Sequence, residues 1–187
     1  MKTSLFRPLL AAAAVLALAA CGKPATDESR LVVAATAVPH AEILQVVKPI
    51  LEKQGVTLDV RVFNDYVQPN DQLVQKQVDA NYFQTEPYLD AYNRDRKTQL
   101  VTVVGVHIEP FGAYSRRVKS LAELPAGADV VIPNDPSNNS RALILLDKAG
   151  VIKLKDPSNA LSTQRDIIDN PKQLRFRELD SAMLPRV

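Results

Sequence analysis

The run from Leu31 to Phe63 constrains this chain most. "LVVAATA" is a short apolar stretch containing β-branched residues, and "TLDVRVF" alternates from Leu58 to Phe63. Between them, "AEILQVVKPILEKQG" repeats apolar residues at Ile43, Val46, Val47, Ile50 and Leu51, the spacing of one helix face. Strand, helix, strand is a βαβ unit, and the fold class it predicts is α/β. Gly55 is well placed to end the helix. Pro49, inside it, is expected to kink it, since an interior proline costs about 3 kcal/mol.

The alternation continues. A second helix is expected over Asn70 to Gln77, a short strand over Asp79 to Phe83, and a third helix over Pro87 to Asp95. "QLVTVVGVHI" then reads as a strand buried on both faces of a parallel sheet, because the run is almost unbroken by polar residues. Pro110 and Gly112 mark a boundary, and Gly112 to Ser115 reads as a crossover into a second lobe. That lobe is expected to hold a strand over Asp129 to Ile132, a helix carrying Arg141, a lysine- and proline-rich connection, the strand "LRFREL" and the start of a helix at Asp180. Arg116, Arg117 and Lys119 form a basic cluster that reads as a solvated face.

The amino end has another purpose. "MKTSLFRPLLAAAAVLALAAC" has a basic start, an apolar stretch from Leu9 to Ala20 too short to span a bilayer, and small residues at its end, the pattern of an export signal. Leu18-Ala19-Ala20-Cys21 resembles the lipobox of bacterial lipoproteins, which implies that Cys21 is lipidated and becomes the mature amino terminus. It is the chain's one cysteine, so no internal disulfide competes for it. Acyl chains contribute about 0.8 kcal/mol per buried CH₂, enough for two or more to tether a soluble domain to a membrane. "GKPATDESR" after Cys21 has a linker's composition, with a flexible reach of about 15 Å. The organisation expected is therefore a signal peptide over 1–20, a lipidated linker over 21–30, a first lobe over 31–112 and a second over 113–187.

Charge and motifs exclude several functions. Lys2 and Arg7 account for the net charge of +2, and the remaining basic residues balance the 21 acids, so nothing marks a nucleic-acid surface. The six glycines are not spaced for a dinucleotide fingerprint or a P-loop, and no serine lies in G-x-S-x-G. The two histidines, His40 and His107, fall in separate segments without metal-site spacing, so no metal or other cofactor is expected. An exported, tethered α/β chain without a catalytic signature reads as a binder rather than an enzyme.

Arg141 is the residue that asks for a ligand. "VVIPNDPSNNSRALILLDKAG" places it in a helix's first turn, where the backbone dipole makes a cation unfavourable by about 0.3 to 1 kcal/mol. A bound anion would offset that cost. The alternative is that Arg141 pairs with Asp135 across the turn while Ser137 or Asn138 caps the helix.

"FNDYVQPNDQLVQKQVDANYFQTEPYLDAYN", "VHIEPFGAYS" and "IPNDPSNNSRALILLDKAGVIKLKD" resemble the methionine-binding lipoproteins of MetQ/NlpA type, the substrate receptors of methionine ABC importers. The resemblance runs from about Leu31 to Val187. It implies a two-lobed, periplasmic-binding-protein-like fold of type II, closing over L- or D-methionine or a close relative. The partners it implies are the ABC permease with its ATPase subunit, and a membrane reached through the lipid anchor, in the bacterial cell envelope facing the periplasm or exterior. It carries ligand contact onto Arg141 and Asn138, for the carboxylate, and onto Tyr82 and Phe83, as aromatic walls for the thioether. Adjacent strand residues face opposite ways, so one of the two aromatics is expected to reach the ligand and either can be plain core. His107 matches a position near the ligand in relatives with "HIEP", or is a satisfied strand histidine. His40 and Tyr66 lie on loops after first-lobe strands and are weaker candidates.

The chain departs from the family's pattern twice. Thr85 stands where many relatives have His after "FQ", which bears on the pocket rim. Relatives also continue well past "LPR", completing the second lobe and crossing back to the first. The second lobe expected here is thus incomplete, and this polypeptide alone is expected to bind methionine weakly or not at all. A surface adhesin or antigen of the same fold, or a non-functional truncated remnant, are the other readings.

Overall fold

A computed structural model describes residues 29–187. The signal peptide and Cys21 lie outside the described residues. Strand β1 (Arg30–Thr36) leads through a tight π-type turn at Ala37–Ala41 into helix α1 (Glu42–Glu52), and β2 (Thr57–Phe63) returns parallel to β1, from Arg30 opposite Thr57 to Thr36 opposite Phe63. The βαβ unit stands as the sequence implies. Helix α1 continues through Pro49 and shields Ile43, Val47 and Leu51 partly, leaving Val46 and Ile50 exposed. Gly55 ends it as expected: at φ +80° it lets Val56 N–H reach Leu51 C=O at 3.0 Å and Gly55 N–H reach Glu52 C=O at 3.1 Å, the paired bonds of a Schellman motif.

Helix α2 (Gln68–Val74) begins earlier than expected because Asp65 Oδ1 accepts from the Val67 and Gln68 amides at 2.8 Å each. Strand β3 (Ala80–Tyr82) pairs parallel with β1, giving a first-lobe sheet of order β2-β1-β3, and helix α3 (Glu86–Arg96) follows. The core of this lobe is Val33, Ala34, Ala35, Leu58, Val78, Phe83 and Leu89.

Residues 99–108 correct the expectation of a buried strand. They form no strand, and Val101, Val103, Val104, Val106 and Ile108 are 78, 89, 69, 58 and 92% exposed. A parallel strand is buried only when neighbours pair with it and layers cover both its faces. Among the described residues no strand pairs with this run, and β3 is the edge of its sheet. The segment is held at points: Asn93 clamps Leu100 through both its backbone groups, at 2.8 and 3.0 Å, and Tyr82 holds His107.

In the second lobe β4 (Asp129–Pro133) pairs parallel with β7 (Arg175–Leu179), and helix α4 (Pro136–Lys148) packs beside them. Ile132, Ala142, Leu143, Leu146, Val151, Ile152, Leu154 and Leu174 form one buried cluster. The lysine-rich connection contains a short antiparallel ladder, β5 (Lys153–Leu154) with β6 (Ile167–Asp169), which the sequence does not announce. Asp180 starts a helical turn as expected, but a 3-10 one, Ser181–Arg186. Arg116, Arg117 and Lys119 are exposed, as a solvated face requires. Among the described residues no helix is long and apolar enough to cross a membrane.

Candidate ligand cleft between the lobes

A cleft opens between the first-lobe residues Tyr66, Phe83, Gln84, Thr85 and Tyr88 and the second-lobe residues Pro133, Asn138, Arg141, Ser181 and Leu184, with Glu109, Pro110 and Phe111 of the connecting segment along it. Helix α4 supplies the charge. Its first turn follows "ND" and opens on Pro136, and Asp135 caps it by accepting from the Asn138 amide at 2.9 Å; Arg141, expected in that first turn, is instead the sixth residue of the helix and lies in the second. Asp135 also takes Ser137 Oγ at 3.0 Å, Asn138 Nδ2 at 3.2 Å and Ser181 Oγ at 2.7 Å.

That arrangement does not bear out the account in which Arg141 pairs with Asp135. Among the described residues Arg141 pairs with no carboxylate. Its Nη1 donates to Asn138 Oδ1 at 3.0 Å, and its guanidinium carbon lies 4.8 Å from the centre of the Phe111 ring. Asp135, not Ser137 or Asn138, is the cap. Asn138 stands between them, with its amide donating to Asp135 and its oxygen accepting from Arg141, so the guanidinium is positioned without being neutralised.

Aromatic rings build the other wall. Phe83 is buried and meets Tyr66 and Tyr88 edge to face, each at 5.8 Å between ring centres, and Tyr66 and Tyr88 meet at 6.0 Å. Tyr88 Oη donates to the Tyr66 carbonyl at 2.9 Å. Burial first, then nearby carboxylates, raises the pKa of both phenols, among them Asp135 and Asp180 for each and Glu109 for Tyr66. Both shifts favour the neutral phenol. Behind this wall Asn70, fully buried, exchanges hydrogen bonds with Gln84 at 2.9 Å in each direction and accepts from Asn81 at 2.8 Å, which fixes Gln84 at the cleft.

Of the residues singled out in the sequence, Arg141, Asn138, Phe83 and Tyr66 line this cleft, as does Thr85. Tyr82 and His107 do not line it. Tyr82 faces away from Phe83, and its hydroxyl lies 2.6 Å from His107 Nδ1. The Tyr82 ring also meets His40 at 4.8 Å, and His40 meets His107 at 5.4 Å. The separation of the two histidines in sequence thus gives way to contact in space. Both face Glu109 Oε1, His107 Nε2 at 3.0 Å and His40 Nε2 at 3.7 Å, so Glu109 joins this cluster to the cleft. Burial lowers the pKa of His40, with Glu109 opposing and His107 reinforcing the shift.

Sequence reasoning missed Tyr88, Phe111 and Glu109, and offered Asp135 as an ion-pair partner rather than as the cap. Asp135 was findable from an acid directly before Pro136 at a helix start. The others carry no local signal; they become cleft residues only when the lobes face each other.

Residues 31–187 match the NlpA lipoprotein family. The D-methionine-binding lipoprotein MetQ of Salmonella typhi is 42% identical over 172 residues, covering 91% of this chain and 64% of its own length. The crystal structure of the methionine-binding protein MetQ superposes with a TM-score of 0.82 at 40% identity, over 86% of this chain and 66% of that one. A nutrient-binding protein from Burkholderia cenocepacia bound to methionine superposes with a TM-score of 0.80 at 46% identity, over 84% and 67%. The chain spans just under two thirds of the length of the Salmonella typhi relative.

Proposed function

Because the chain belongs to the NlpA lipoprotein family, we propose that it is a substrate-binding lipoprotein that takes methionine or a close relative in the cleft and delivers it to an ABC importer. The observation that carries this reading is Arg141: a guanidinium in the second turn of α4, oriented by Asn138 and Phe111, and paired with no acid among the described residues. A free amino acid brings the missing anion. Its carboxylate would accept from Arg141, with the α4 dipole adding to the attraction. Glu109 offers a carboxylate to the ammonium group. The ring cluster of Phe83, Tyr66 and Tyr88 suits a thioether, since sulfur at an aromatic edge contributes about 0.3 to 1.5 kcal/mol.

Tyr82 and His107 enter this reading at one remove, through Glu109, and Thr85 at the rim. We place the lobe boundary at residue 112, with lobe 1 over 31–112 and lobe 2 over 113–187. Cys21 is the proposed point of lipid attachment, which would hold the protein at a membrane of the cell envelope. The names and the bound ligand of the relatives, methionine in each case, support the choice of substrate. The reading assigns binding and delivery to this chain and no bond-making step.

Calorimetric titration of L- and D-methionine into a full-length version, which carries the residues with which relatives continue, and into its Arg141→Ala variant tests it. Arg141→Ala is expected to weaken binding more than tenfold, because it leaves a desolvated carboxylate without its charge-assisted donor. Equal dissociation constants for parent and variant, or no heat with either enantiomer on the full-length parent, would sink the assignment.

A further inference from the structure

His40, His107 and Glu109 make a second site beside the cleft. His40 sits in the tight turn after β1, 5% exposed, with Nδ1 2.7 Å from Thr36 Oγ1. His107 belongs to the extended segment 99–108, with Nδ1 2.6 Å from the Tyr82 hydroxyl. In both rings one nitrogen is occupied by a hydroxyl, and the other, Nε2, faces Glu109 Oε1, at 3.7 Å for His40 and 3.0 Å for His107. When the hydroxyls accept from Nδ1–H, two imidazole lone pairs and a carboxylate oxygen converge on one small volume. A proton shared between His107 Nε2 and Glu109 Oε1, 3.0 Å apart, or a metal cation in its place, satisfies that convergence.

We infer that these three residues form a binding site for a divalent first-row transition metal of the zinc type. Their ligand atoms lie within 4.8 Å of one another. Around a tetrahedral ion with bonds of about 2.1 Å, ligand atoms stand about 3.4 Å apart. The two spacings to Glu109 bracket that value. The third closes by a small rotation of His107 and Glu109, which are only partly buried at 29 and 50% side-chain exposure. Two neutral imidazoles and one carboxylate suit Zn²⁺, Co²⁺ or Ni²⁺ far better than Mg²⁺ or Ca²⁺. Thr36 and Tyr82 are the outer partners such sites use to fix the tautomer and orientation of each ring. Three protein ligands leave at least one position open to water. The site uses one oxygen of Glu109, so the other remains for the cleft.

The test is a titration of Co²⁺ into the tag-free chain after chelator treatment, with Cys21→Ser in every sample so that the thiol cannot bind. The expected result is a visible d–d absorption that saturates at one Co²⁺ per chain and is displaced by Zn²⁺. His107→Ala is expected to weaken Co²⁺ binding at least a hundredfold. Tyr82→Phe, which removes only the outer hydroxyl, should weaken it ten- to a hundredfold. His40→Ala is likewise expected to weaken Co²⁺ binding at least a hundredfold; should it prove unfolded by circular dichroism, His107→Gln on the exposed segment serves in its place. No saturable absorption, or an absorption unchanged in the His107 variants, overturns the site. No methionine enters this titration, so its failure leaves the receptor reading intact, and failure of methionine binding leaves the metal site intact.

Discussion

Asp135 accepts four hydrogen bonds, from Ser137 Oγ, Asn138 N, Asn138 Nδ2 and Ser181 Oγ. One of these caps α4; another holds the side chain that aims Arg141; a third ties the 3-10 turn at Ser181 to the helix start. Replacing it therefore affects the fold and the aim of Arg141 together. Asp135→Ala is expected to lower unfolding free energy by about 1 to 2 kcal/mol in urea titrations, the cost of a lost N-cap. Asp135→Asn keeps a capping oxygen and should cost less than half as much. If Asp135→Ala unfolds at the parent's urea midpoint, the cap is not what holds this turn. At this scale the sequence drew attention to Arg141 by placing it in a first turn, where a cation is disfavoured; the helix starts at Pro136, so Arg141 sits a turn further in, and what marks it in the structure is its lack of an acidic partner among the described residues. His40 and His107 did not stand out, since each is unremarkable in its own segment and only the fold brings them together against Tyr82.

The elements were legible wherever a period and a terminator agreed. The β1-α1-β2 unit carried both, an apolar face of helical spacing followed by Gly55. Helix α4 carried both as well. At its end Gly150, at φ +68°, lets Val151 N–H reach Leu146 C=O at 3.0 Å and Gly150 N–H reach Asp147 C=O at 2.9 Å. A Cβ placed there meets nothing within 4 Å, so the cost of a side chain is conformational alone. Gly150→Ala is expected to destabilise by about 1 to 2 kcal/mol, the left-handed penalty of an L-residue, and Gly150→Asn by less. An unchanged urea midpoint for Gly150→Ala would show that the turn relaxes to another conformation. Where no terminator or period existed, the sequence misled. The run 99–108 is apolar at nearly every position, and such a run records only that something is to be covered, not by what. The two-residue β5 is too short to leave any pattern at all.

For the molecule as a whole, the cleft and the exposed run have opposite consequences. The cleft takes its parts from both lobes and the segment between them, so a change in lobe orientation moves Arg141 relative to Phe83 and Tyr66 and alters binding without touching either side chain. The exposed run presents five large aliphatic side chains between Val101 and Ile108, next in chain order to a sheet whose edge strand is β3. Contiguous apolar surface beside an open strand edge favours association between chains. The chain is therefore expected to self-associate with rising concentration, seen as an increasing weight-average mass by light scattering on a sizing column. Val103→Lys together with Val101→Lys places two charges on side chains that are 89 and 78% exposed, at little cost to the fold. The double variant should stay at monomer mass over the concentrations where the parent grows. A parent that remains monomeric throughout, or a variant that associates equally, would mean that the valines are not the surface through which chains meet.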